Sequence, residues 1–192
     1  MATVLLYGDT VRYPAIRHEV PLEIVDPFLF VARDGDALVL TSGLEVARVR
    51  EALPAAEVAV RDAFGFYELI DGGMGRDEAE LETTVRALGE WGIGEGVVPG
   101  DFPVRVADRL RKEGVRVAVD DAVVDARRRV KTRAELEGVL RAQRAAEAGM
   151  AAGEALIRGA EHDGEHLRAD GEVLTAEAVR GRARTRPAAG PT

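Results

Sequence analysis

The sequence contains no cysteine. That excludes disulfides, thiolate metal sites and a cysteine nucleophile, and makes a reducing cytoplasm the natural compartment. No stretch approaches the ~20 apolar residues of a membrane span, and the opening MATVLLYGDT lacks the basic flank and long apolar core of a signal peptide. A cytosolic protein with no membrane partner is expected. Lysine is nearly absent, with only Lys112 and Lys131, so arginine carries almost all the positive charge. A formal net charge of −8 argues against a surface given over to nucleic acid. No G-x-S-x-G elbow, Walker loop or convincing pair of carboxylates for acid–base chemistry is present.

What is present is ordinary for a folded chain: 192 residues, 46% apolar and 31% charged. This suits one domain of roughly 130–150 residues with an appendage. Ala2 to Tyr7 predicts a buried strand closed by Gly8-Asp9, and the following stretch, DTVRYPAIRHEVP from Asp9 to Pro21, predicts a loop. That loop gathers Asp9, Arg12, Tyr13, Arg17, His18 and Glu19 between two prolines. The plainer reading pairs these charges on the surface; the sharper one makes the loop face a ligand.

PFLFVAR and ALVLT flank Asp34-Gly35-Asp36 and predict a β-hairpin. Ser42 and Glu45 have the spacing of a capping box for a helix from Leu44 to Leu53, and EVAVR (57–61) alternates like a strand. A helical turn near Phe64 to Ile70 follows, then a helix from Glu78 to Trp91 capped by Asp77, a helix from Pro103 to Glu113 ended by Gly114, and a strand from Val115 to Val119. Alternating helices and strands predict an α/β fold, a mixed sheet of about five or six strands flanked by helices.

The most organised stretch is Lys131 to Ala160. Thr132 and Glu135 form a capping box, so a long helix starts near Arg133. Leu136, Val139, Leu140, Gln143, Ala146, Met150, Gly153 and Ile157 recur along one face, and a crowd of Ala and Gly in the middle predicts close approach of a sheet or second helix. Such a stripe predicts self-association as a homo-oligomer if nothing else covers it.

Three motifs compete for a function. Gly92, Gly94 and Gly96 follow a helix and precede a strand, the reverse of a dinucleotide loop, and predict helix termination. Arg127-Arg128-Arg129 could contact phosphates as a nucleic-acid module, but acids flank the run and no aromatics interleave it, which favours pairing between domains or subunits. His162-Asp163-Gly164-Glu165-His166 spells the H-x-x-E-H of an inverted zinc-protease motif, and a complete small metallohydrolase using His162 and His166 is an alternative. Gly164 breaks the helix such a motif needs, and Asp163-Gly164 predicts a turn.

YGDTVRYPAIRHEVPLEIVDPFLF, VPGDFPVRVADRLRKEGV and DARRRVKTRAELEGVLRAQRAAEAGMAAGEALIRGA together resemble the N-terminal half of bacterial Xaa-Pro peptidases, the aminopeptidase P, prolidase and creatinase family. The most specific part is Arg129, Lys131, Thr132, Glu135, Leu136, Arg141, Ala142 and Ala145, similar to the family's R-x-K-[ST]-x-x-E-[IL] junction; Leu174-Thr175-Ala176-Glu177 is similar to the start of the next helix. The resemblance implies a creatinase N-terminal-like domain over residues 1–130, with 131–192 as the linker and first helices of an incomplete pita-bread domain. It also implies a proline-containing peptide as the substrate of full-length relatives, and two divalent metal ions, of manganese or cobalt type, held by two Asp, one His and two Glu beyond the second helix. None of those ligands maps onto a residue here, so this chain is expected to hold no metal, to contribute no catalytic residue and to be inactive alone. Relatives form dimers or tetramers in which this domain reaches a neighbour's active site, and by that analogy Tyr13, Arg17 and His18 are the substrate-gating candidates.

Overall fold

Apolar side chains alternate along the first three strands, and the alternation gives the sheet two buried faces. Leu5, Tyr7, Leu29, Val31, Leu38 and Leu40 point to one core. Val4, Leu6, Phe28, Phe30, Ala32 and Val39 point to the other. The computed structural model describes residues 2–185, and the chain divides into two units, Met1–Lys131 and Thr132–Thr192.

The first unit holds strands β1 (Val4–Gly8), β2 (Phe28–Arg33), β3 (Asp36–Thr41), β4 (Glu57–Val60), β5 (Glu95–Val98) and β6 (Arg116–Val119), in the spatial order β4-β3-β2-β1-β5-β6. The β1–β2 and β2–β3 pairs are antiparallel and the rest parallel. The mixed six-stranded sheet flanked by helices is the architecture the sequence predicts. The hairpin turns through Asp34 (φ 53°) and Gly35 (φ 101°), the two positive dihedrals a type I′ turn requires.

Helices α1 (Pro14–Glu19), α2 (Val46–Ala52) and α6 (Asp121–Arg129) bring Ile16, Val49 and Val124 to one face of the sheet. On the other lie α4 (Arg76–Glu90) and α5 (Val104–Lys112), with Leu81, Leu88, Val106 and Leu110 buried. A short 3-10 turn and α3 (Phe66–Asp71) connect β4 to α4.

Two local expectations are corrected. The Ser42–Glu45 capping box does not form: Glu45 reaches Arg48 instead (2.6 Å), Ser42 Oγ is buried without a partner, and α2 starts only at Val46. Asp77 does not cap α4, whose N-cap is Gly75; Asp77 lies in the first turn and pairs with Arg105 (3.2 Å). The acid-flanked arginine run, for which the sequence predicts no element, is helix α6, capped by Asp120, which accepts from the Val123 N–H (3.1 Å).

The second unit is built on α7 (Arg133–Arg158). Its capping box is complete: Thr132 Oγ1 accepts from the Glu135 N–H (3.2 Å), and Glu135 Oε2 from the Thr132 N–H (2.8 Å). Thr132→Ala is expected to cost about 1 kcal/mol of local stability, read as faster hydrogen exchange at Glu135 and Leu136 with the first unit unchanged. The small residues admit a second helix, α8 (Ala176–Thr185): a Cβ on Gly149 would lie 2.9 Å from the Ala183 carbonyl oxygen. Between α7 and α8, beside Met150 and Ile157, runs an apolar groove of about 770 Å³. Strands β7 (Glu161–His162), β8 (Leu167–Ala169) and β9 (Glu172–Val173) form a small antiparallel sheet between the helices in sequence.

Candidate functional site

The candidate residues are organised by the end of the central strand β1. Gly8 has φ +151°, and the Tyr13 ring lies across it so closely that a Cβ there would stand 2.5 Å from Tyr13 Cδ2. Asp9 then folds the chain back. Its Oδ1 accepts from the Val11 and Arg12 N–H groups (2.9 and 2.7 Å), and its Oδ2 from Arg12 Nε (2.7 Å). Burial would raise the Asp9 pKa, but the Arg12 backbone and guanidinium and the Val11 N–H together hold it below the ordinary carboxylate value.

Because the folded-state value is depressed, this contribution to stability is present above the unfolded carboxylate pKa of about 3.9 and is lost as pH falls through the folded value. Urea unfolding of Asp9→Asn is therefore expected to show its deficit at neutral pH, and the deficit should shrink below about pH 4.

The stretch from Asp9 to Pro21 is not all loop. Pro14, at the first helical position where its missing N–H costs nothing, opens the six-residue α1. The Arg17 N–H donates to the Tyr13 carbonyl (3.1 Å), which sets Tyr13 and Arg17 one turn apart. Arg17 is exposed, while Tyr13 and His18 are half-buried. The helix is tied down at its far end, where Arg127 of α6 makes a two-point ion pair with Glu19 (Nε–Oε1 2.5 Å, Nη2–Oε2 2.9 Å). This pair corrects the reading of Arg127 as an interdomain or subunit contact, since both partners belong to the first unit. Arg128 faces Asp125 on its own helix (3.6 Å).

A phenol at the N-cap and a guanidinium and an imidazole on the short helix can donate hydrogen bonds and supply positive charge to a carbonyl or carboxylate. Unannounced by any motif, Arg61 is buried just past the end of β4. It donates to the Pro27 carbonyl and lies 3.6 Å from Glu80, with its Nε unpartnered. Tyr7, on the same side, has its pKa pushed up to about 12, chiefly by burial. Contacts such as Glu19–Arg127 and Arg61–Pro27 join residues far apart in the chain, so local spacing carries no signal of them.

The H-x-x-E-H letters fall on a hairpin, which corrects the metallohydrolase alternative. His162 ends β7, Gly164 has φ +102°, and Asp163 Oδ1 accepts from the Glu165 and His166 N–H groups (3.0 and 2.7 Å). The two imidazoles therefore do not share a helical face, as that motif needs. Among the described residues no three His, Cys, Asp or Glu side chains gather to hold a metal ion, so these residues do not fit a two-metal centre. Among them, too, no helix is long and apolar enough to cross a membrane.

No protein-family model matches this sequence, and no curated protein does. Solved structures do match its fold. The Xaa-Pro dipeptidase of Bacillus anthracis aligns over 82% of this chain and 38% of its own, with TM-score 0.55 and 15% identity. The X-Pro aminopeptidase of Thermotoga maritima aligns over 84% and 42%, with TM-score 0.56 and 11% identity. The prolidase of Pyrococcus furiosus aligns over 84% and 41%, with TM-score 0.52 and 13% identity. The chain spans about two fifths of the length of these proteins. What is shared is an α/β fold found in proline-specific peptidases.

Proposed function

We propose that this chain is the non-catalytic N-terminal portion of a cytoplasmic Xaa-Pro metallopeptidase, serving oligomerisation and covering the active site of a neighbouring subunit. The observation that carries the reading is the fold match to three proline-specific peptidases over more than four fifths of this chain but only about two fifths of theirs. The R-x-K-[ST]-x-x-E-[IL] resemblance at Arg129 to Leu136 supports the same reading. In this role residues 1–130 form the covering domain, and residues 131–192 lead into the catalytic domain. Tyr13, at the N-cap of α1, and Arg17 and His18, on the helix, close a pocket over a proline-containing peptide. Two divalent ions would be held outside this stretch.

Sequencing the gene past the codon for Thr192 tests the proposal. A continuation supplying two Asp, one His and two Glu ligands is expected. A stop codon at that point would overturn the assignment and leave a free-standing binding module.

A further inference from the structure

Five parallel strand ends, those of β1, β3, β4, β5 and β6, and the start of the antiparallel β2 share one edge of the sheet. Among the described residues, six of the first unit's large exposed apolar side chains belong to the segments at this edge: Val11, Val25, Leu44, Tyr67, Val104 and Val119, each 59–86% exposed. The first unit's other such side chain among the described residues, Val130 (78% exposed), follows α6, whose Arg127 lies by the hairpin turn at the opposite edge. Scattered exposed apolar residues are ordinary, but six of seven gathered at one edge is not.

Hydrogen bonds draw part of this set together. Thr10 and Ile24 exchange backbone and hydroxyl bonds (2.8–3.1 Å), which sets Val11 beside Val25. Arg48 donates to the Glu23 carbonyl (3.3 Å) and pairs with Glu45, tying the Leu44 turn to the same loop.

The charge of the edge is one-sided. Its arginines already face carboxylates: Arg12 faces Asp9, Arg48 faces Glu45, Arg76 faces Glu80, and Arg105 faces Asp77. Glu23, Asp26, Asp62 and Asp101 are exposed beside them, so acid is in excess. Exposed apolar side chains set among an excess of acid repel an anionic membrane and a like-charged copy, and complement a protein surface that is both apolar and basic.

We propose that this edge docks a cationic amphipathic protein segment, apolar at its centre and flanked by lysine or arginine. The inference stands on exposure and charge alone and is independent of the peptidase reading. Two short synthetic helices sharing a leucine face, one flanked by Lys and the other by Glu, test it on the full chain by amide chemical shifts. The Lys-flanked helix is expected to bind saturably, with shifts centred on Val11, Val25 and Leu44. Binding should weaken about tenfold in Val25→Ser/Leu44→Ser, and also in Asp26→Asn/Asp62→Asn and with added salt; both doubles alter exposed residues and should unfold like the parent. The proposal is overturned by equal binding of the two helices, by no binding, by shifts centred instead on Met150 and Ile157, or by indifference to the doubles. Co-sedimentation with phosphatidylserine vesicles that depends on Val25 and Leu44 would also overturn it, in favour of a membrane.

Discussion

Replacing Gly8 with alanine is expected to destabilise the first unit by about 2–4 kcal/mol, the sum of backbone strain and overpacking. Two independent physical effects act at this one position. The dihedral of +151° is one that side-chain-bearing residues rarely adopt. The methyl group would also stand 2.5 Å from Tyr13 Cδ2 and 2.7 Å from Cε2, well inside contact distance. Since β1 is paired on both sides, with β2 and β5, the backbone has little room to yield.

Pairing Gly8→Ala with Tyr13→Ala separates the effects. Removing the ring relieves the overlap and leaves the dihedral strain, so the double variant should lie closer to wild type than the two single losses summed. Strict additivity in urea unfolding would show that the ring and the glycine are not coupled, and would remove the structural reason for Tyr13 holding its place.

The second large effect is expected at Arg61. This guanidinium is buried, donates to the Pro27 carbonyl and faces Glu80. It joins the end of β4 to the loop before β2 and to α4. Arg61→Leu fills the space but leaves a carbonyl without its donor and a mostly buried carboxylate short of charge, a loss of about 3 kcal/mol. Arg76 also approaches Glu80 (3.4 Å), which keeps the loss from being larger. Arg61→Lys retains the charge, but a single ammonium cannot reproduce the guanidinium fork, so less than half of the stability should return. Full rescue by lysine would mean that charge alone matters there.

Much of the fold was legible because its signals are local. The Asp34-Gly35 turn sits between two apolar runs, and Gly92 and Gly114 follow their helices with φ +66° and +86°. Thr132 and Glu135 satisfy each other across one turn. Where two local signals competed, spacing misled. Glu45 had both Ser42 and Arg48 in range and took the ion pair. Helix α1 has no capping side chain and only six residues, so the prolines around it suggested a loop. Helix α6 was hidden by its charge, although Asp120 three residues before Val123 is the cap spacing that could have found it. At the candidate site, Tyr13, Arg17 and His18 could be picked out by type and density. The packing of Tyr13 on Gly8 and the hold of Arg127 on Glu19 could not, because they depend on how distant segments meet.

In the proposed role this chain supplies surfaces, and the hydrolytic centre lies outside it. Turnover of an Xaa-Pro dipeptide by the purified chain, loaded with manganese or cobalt, tests it most directly. No proline release above the metal-only blank is predicted. Release that scales with protein concentration and vanishes in His166→Ala would contradict the claim and return the chemistry to the segment between β7 and β8.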